Sequence, residues 1–121
     1  MKIFPALVAS ALSLGMVAHA DQGIELNPQP FLDSDEFQEL KAEYQRCVLR
    51  RGEQLLDTND FETAVKYAPT ACRRDLLKIK RLMLGSAFKV EVADGLLASI
   101  AEGVEIDLVN ALLDKQLGDA R

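Results

Sequence analysis

No tryptophan occurs in the 121 residues, and one histidine, His19, is all the imidazole the chain holds. That histidine lies in a segment with the marks of removal. Met1-Lys2 supply a minimal positive start, Ile3 to Val17 carry no charge, and Ala18-His19-Ala20 form a small-x-small site before Asp21. Charge, short apolar core and A-x-A in that order make the secretory signal pattern. The apolar run is broken by Pro5, Ser10, Ser13 and Gly15, and it is shorter than the roughly 18 to 20 apolar residues a membrane span needs. The residue immediately after the site is Asp21 and not cysteine, which argues against lipoprotein processing. Cleavage between Ala20 and Asp21, and a periplasmic or secreted location, are therefore expected. The mature chain would keep 101 residues (121 minus 20) and no histidine.

Without imidazole, Ser-His-Asp and Cys-His catalysis are excluded. Ser34, Ser86 and Ser99 have no activating G-x-S-x-G context and read as caps or small helix residues. Glycine is sparse, seven in all, and forms no Walker or dinucleotide pattern. Aromatics make up 6% of the chain. After cleavage Phe31, Phe37, Phe61, Phe88, Tyr44 and Tyr67 remain, few for a saccharide platform. Paired carboxylates are the one acid-base device left, with Asp94, Glu102, Glu105 and Asp107 as its candidates. The acidic turn Asp57 to Asp60 departs from calcium-loop spacing. Capping and surface charge explain both groups more simply. No catalytic, cofactor-binding or metal-ligating residue is assigned, and a non-enzymatic protein is expected.

Two cysteines are present, Cys47 and Cys72. In an oxidising compartment an even count reads as a disulfide framework, and two cysteines allow one intramolecular pairing. Each lies on an apolar helical period: Cys47 follows Leu40 and Tyr44, and Cys72 precedes Leu76 and Ile79. Their separation of 25 positions (72 minus 47) is far from the C-x-x-C of redox centres, and no histidine completes a zinc set. A structural bridge closing this loop is worth about 3 kcal/mol by loss of chain entropy in the unfolded state.

Local signals divide the mature chain into an extended leader, residues 21–33, with Gly23, Pro28 and Pro30, and a helical domain, residues 34–121. Phe31 and Leu32 could dock the leader. Asp33 or Ser34 offers an N-cap, and Phe37, Leu40, Tyr44, Cys47, Val48, Leu55 and Leu56 predict a helix over 35–56, with Gly52 as a late interruption. A short helix over 60–67, capped by Asn59 or Asp60, should stop before Pro69. Pro69-Thr70 should then open a helix over 70–84 that ends at Gly85-Ser86. Residues 87–95 fit either an alternating strand (Phe88, Val90, Val92) or a helix (Phe88, Val92, Leu96, Ile100), and the lack of partner strands favours helix. Beyond Gly103, Ile106, Val109, Leu112, Leu113 and Leu117 predict an amphipathic helix ending at Gly118. The expected fold is all-α: a small disulfide-stapled bundle of four to five helices after an N-terminal signal peptide.

Charge is segregated along this chain. Residues 21–40 carry −6, residues 41–81 carry +4 and residues 82–121 carry −4. The bases Arg46, Arg50, Arg73, Arg74, Lys78, Lys80 and Arg81 form a candidate patch for an anionic partner such as a lipid or lipopolysaccharide surface. Pairing with the protein's own acids is the simpler use. Nucleic acid is not expected for an exported acidic protein with few aromatics. Residues 96–117 carry an apolar arc broad enough for more than one neighbour, so either the core or a partner could cover part of it.

The plan of signal, one disulfide and about a hundred helical residues is similar to that of small periplasmic helical stress chaperones and exported immunity or inhibitor proteins. No shared motif transfers residues from either. The leading expectation is a periplasmic, non-enzymatic interaction protein that binds another protein, or a second copy of itself, through a helical face. The alternative is an envelope-surface binder using the basic patch.

Overall fold

The computed structural model of the protein describes residues 27–120. The expected signal peptide and its cleavage site, Ala20-Asp21, lie outside them. The chain divides after Leu32 into two units. The described part of the first is one helical turn, α1 (Gln29–Leu32), where extended chain was expected. The Asn27 side chain accepts from the Gln29 N–H and the Leu32 N–H donates to Pro28 O. Pro28 and Pro30 thus lie at the start of this turn, where a missing N–H costs nothing.

The second unit is four helices: α2 (Asp35–Thr58), α3 (Phe61–Ala71), α4 (Arg73–Gly85) and α5 (Val90–Ala120). No strand occurs among the described residues, so the fold is all-α and the ambiguity at residues 87–95 resolves to helix from Val90 onward. Two pairs of contacts fix the topology. The Cys47–Cys72 bridge joins residues placed symmetrically about the Asn59-Asp60 turn, so α3 folds back along α2. The Lys80–Asp94 ion pair (2.9 Å) is likewise symmetric about Ala87, so α5 folds back along α4. Gln45 Nε2 donates to Asp107 Oδ2 at 2.9 Å and Lys115 Nζ to Asp57 Oδ1 at 3.2 Å, which makes α2 and α5 parallel.

Capping explains most boundaries. Ser34 Oγ, rather than Asp33, accepts from the Phe37 N–H at 3.3 Å, with Asp35 and Glu36 at the positive end of the α2 dipole. Asp60 Oδ1 accepts from the Thr63 N–H at 2.7 Å and starts α3. Helix α4 ends in a Schellman arrangement: the Phe88 N–H bonds Met83 O and the Ala87 N–H bonds Leu84 O. The left-handed residue there is Ala87 (φ 70°), not Gly85.

Three breaks expected from the sequence, at Pro69, Gly103 and Gly118, move or vanish. Pro69 does not stop α3, which continues to Ala71. One lost N–H bond is tolerated there because Ala64, Ala68 and Cys72 keep an i+4 file in the core, and the chain turns at Cys72 instead. Gly95, Gly103 and Gly118 all lie within the continuous helix α5. Each glycine costs up to about 1 kcal/mol against alanine. The uninterrupted file Ala93, Leu97, Val104, Leu108 and Leu112, all buried, holds the helix through them.

The core consists of Phe37, Tyr44 and Val48 from α2, Ala64 and Ala68 from α3, Cys72 at the turn, Ile79 and Met83 from α4, and the α5 file. Small residues recur at its contacts. Gly52 is buried, and a Cβ placed there would overlap Leu108 Cδ1. Gly52 therefore lets α2 and α5 approach closely and does not interrupt α2.

Candidate functional site

Helix α5 buries a file of side chains and also exposes one. Ile106, Leu113 and Leu117 are 55%, 42% and 58% exposed. Their spacing, i, i+7 and i+11, puts them within about 40° of one another at 100° per residue, on the side of the helix turned away from Leu97, Val104 and Leu108. A helix apolar on two opposite sides has more hydrophobic surface than its own fold can cover. Isolated exposed leucines are ordinary on a small protein. Three aligned along about 17 Å of helix (11 residue steps, 117 minus 106) form one exposed apolar stripe. Acids border this stripe: Glu102 on one flank and Asp114 on the other, both exposed.

Helix α4 carries the counterpart. Its inner side holds Ile79 and Met83. On its outer side Leu77 and Leu84, 40% and 39% exposed, lie one above the other, and the same 100° spacing places Arg73 and Lys80 to one side of them and Arg74 and Arg81 to the other.

The expected basic patch is therefore only partly brought together. Arg46 is drawn to Glu39 at 3.8 Å, Lys78 to Asp75 at 3.7 Å and Lys80 to Asp94. These three are taken up by the protein's own acids. Arg50, Arg73, Arg74 and Arg81 make no ion pair among the described residues, and the last three belong to the outer side of α4. Lys78 points about 100° away from Leu77, outside this group.

The other predicted groups serve the fold. Asp94 is the Lys80 partner, Asp107 accepts from Gln45, and Glu105 acts on Tyr44, whose phenol is pushed above its ordinary value first by burial and then by that carboxylate. Asp57 pairs with Lys115. Hydrogen bonds from Thr63, side chain first and backbone second, hold Asp60 below the usual carboxylate range. Ser86 Oγ donates back to Leu82 O, and Ser34 is a cap.

Cys47 and Cys72 are bonded, with their Cα atoms 5.9 Å apart. Asp75 completes a group of three possible metal ligands with them, all ligand atoms within 4.8 Å. Both sulfurs are committed to each other, and a disulfide sulfur is a poor ligand beside a thiolate. Among the described residues no helix is long and apolar enough to cross a membrane.

The outer stripe of α5 was the feature least visible beforehand. Its signal was the excess of apolar residues on 96–117, which the sequence alone could not divide between a core side and an outer side. No protein-family model matches the chain, and no curated protein or solved structure matches it.

Proposed function

We propose that the protein is an exported, non-enzymatic interaction protein that docks another protein on the outer side of α5. The observation that carries this reading is the Ile106–Leu113–Leu117 stripe, turned away from a core that is already filled from the opposite side of the same helix. Helix-in-groove recognition uses anchors at this spacing. Export rests on the signal pattern of residues 1–20 and agrees with a disulfide, which persists in oxidising compartments.

A photo-crosslinking residue at Leu113 tests the reading in cells. A second, at exposed Glu53 on α2, serves as control. One defined adduct is expected from position 113 and not from position 53, and Leu117→Asp should remove it. No adduct, or the same adducts from both positions, would refute the reading. Mass spectrometry should find a mature chain beginning at Asp21 with no alkylatable thiol.

A second reading, binding to an anionic envelope surface, is favoured by one observation: Arg73, Arg74 and Arg81 stand on the outer side of α4 without ion pairs among the described residues. It requires salt-sensitive cosedimentation with anionic vesicles that Arg74→Ala/Arg81→Ala sharply reduces. Undiminished binding by that variant would exclude it.

A further inference from the structure

We propose that the occupant of the α5 outer stripe is a second copy of this chain, docking through the outer side of its α4. The inference rests on the reading that α5 is a protein-docking face, and it names the partner. The α4 line is the shorter and fits within the α5 stripe: Leu77 to Leu84 covers seven residue steps (84 minus 77), about 10 Å of helix, and Ile106 to Leu117 eleven (117 minus 106), about 17 Å. Both have an apolar centre line, Ile106, Leu113 and Leu117 on α5 and Leu77 and Leu84 on α4. Their borders have opposite sign. Arg74 and Arg81 flank the α4 leucines, and Glu102 and Asp114 flank the α5 stripe. None of these four charges makes an ion pair among the described residues.

Pairing α5 with α5 would set Glu102 and Asp114 against their own copies, and α4 with α4 would oppose arginines. Like charges facing each other across an interface are strongly disfavoured. The crossed pairing, α4 on α5, is the one in which apolar lines meet and every border charge meets its opposite. When each copy gives both faces to the same neighbour the contact closes as a two-fold dimer, and when it does not the contact repeats into open chains. Stripes about 10 to 17 Å long and one helix, about 10 Å, wide make a contact smaller than the roughly 1,200 Å² at which specific, stable interfaces begin. The association is therefore reversible, concentration-dependent and weakened by salt, because exposed charges beyond about 10 Å are screened.

Sedimentation of the purified, disulfide-bonded protein over a range of concentrations tests this directly. Wild type should associate at low salt and dissociate at high salt. Arg74→Glu/Arg81→Glu and Glu102→Lys/Asp114→Lys should each lose at least tenfold in self-affinity. An equimolar mixture of the two variants should recover association, since the acidic α4 of one meets the basic α5 of the other and the native faces meet as well. Circular dichroism and thiol assays confirm that each variant folds.

Wild type that stays monomeric at low salt overturns the proposal. So does an α4 reversal that associates like wild type, or a mixture that stays monomeric while both variants are folded. Capture of anionic vesicles by α4 in a protein that never self-associates would also overturn it. The failures separate cleanly. A position-113 crosslink to a different protein, without self-association, removes the second copy but leaves the docking face. Silence in both assays removes both.

Discussion

Gly52→Ala is the substitution on which the packing account can be tested most sharply, because two effects of known size oppose each other. Gly52 lies six residues before the end of a 24-residue helix, so alanine should gain up to about 1 kcal/mol in helix propensity. Against this, the new methyl would overlap Leu108 Cδ1, with Leu112 Cδ1 3.6 Å away. Leu108 and Leu112 are both fully buried, so Leu108 must shift against packed neighbours to make room. Inserting one methyl into such a site costs about 1–3 kcal/mol. Taking about 2 for the overlap and about 1 for the propensity gain, the net is about 1 kcal/mol of destabilisation, or a Tm lower by about 4–8 °C in a domain of this size.

Urea denaturation of the oxidised protein, followed by helical circular dichroism, measures the effect. Leu108→Ala alone should cost about 3 kcal/mol through the cavity it leaves. In the double variant the methyl added at position 52 enters that cavity. The combined loss should then fall short of the sum of the single losses by about 1–2 kcal/mol, the mark of residues in contact. Gly52→Ala that stabilises the protein by its full propensity gain, with strict additivity to Leu108→Ala, would refute the close approach of α2 and α5 at Gly52.

Four further outcomes follow from single features. Cys47→Ala/Cys72→Ala should cost about 3 kcal/mol in the same urea assay, and a loss below about 0.5 kcal/mol would mean the loop between α2 and α4 is already restrained without the bridge. Gly95→Ala and Gly103→Ala, with nothing near the added methyl, should each raise stability by about 0.5–1 kcal/mol; destabilisation would show that α5 does not continue through them. Ala87→Gly should stabilise by about 1 kcal/mol, because Ala87 holds a left-handed conformation that glycine adopts freely. Thr63 lowers the Asp60 pKa in the folded state, so this cap stabilises α3 above the unfolded carboxylate pKa and loses that effect as pH falls through the folded value; thermal melts taken down to about pH 2 should show less acid sensitivity in Asp60→Asn, and identical pH profiles would deny the cap its charge.

Much of this fold was written in local signals. The α2 period, the Asp60 cap and the end of α4 near Gly85-Ser86 each depend on residues within a few positions of one another, and the cysteine pairing, across 25 positions, followed from there being two cysteines. The misplaced boundaries have a common physical origin. Pro69 and Gly103 are helix-breaking by intrinsic preference, at a cost of about 1 kcal/mol for the glycine and about 3 for an interior proline. The continuous burial of Ala64, Ala68 and Cys72, and of Leu97, Val104 and Leu108, outweighs that preference. Such burial is tertiary, and no window of sequence around the glycine or proline contains it. Gly52 is the same case with the sign reversed, since its value lies in a neighbour 56 positions away (108 minus 52).

The apolar excess on α5 shows where sequence reading stops. Val104, Leu108 and Leu112 lie in the core while Ile106, Leu113 and Leu117 do not, although all six are aliphatic and all belong to one helix. Helical phase alone permits either triplet to face inward. What decides is that the inner file must continue through Ala93 and Leu97 to meet α4, whereas continuing the outer line by the same spacing leads to Ser99 and Gly95, which have little to bury. The outer triplet is left with acids at its borders because the inner file has taken the positions that pack. The outer centre line thus carries three exposed aliphatic residues in a stripe that a single lysine or glutamate would interrupt. Both side chains are exposed, so replacing Leu113 and Leu117 by glutamate should leave the helical circular dichroism unchanged while abolishing whatever the stripe binds.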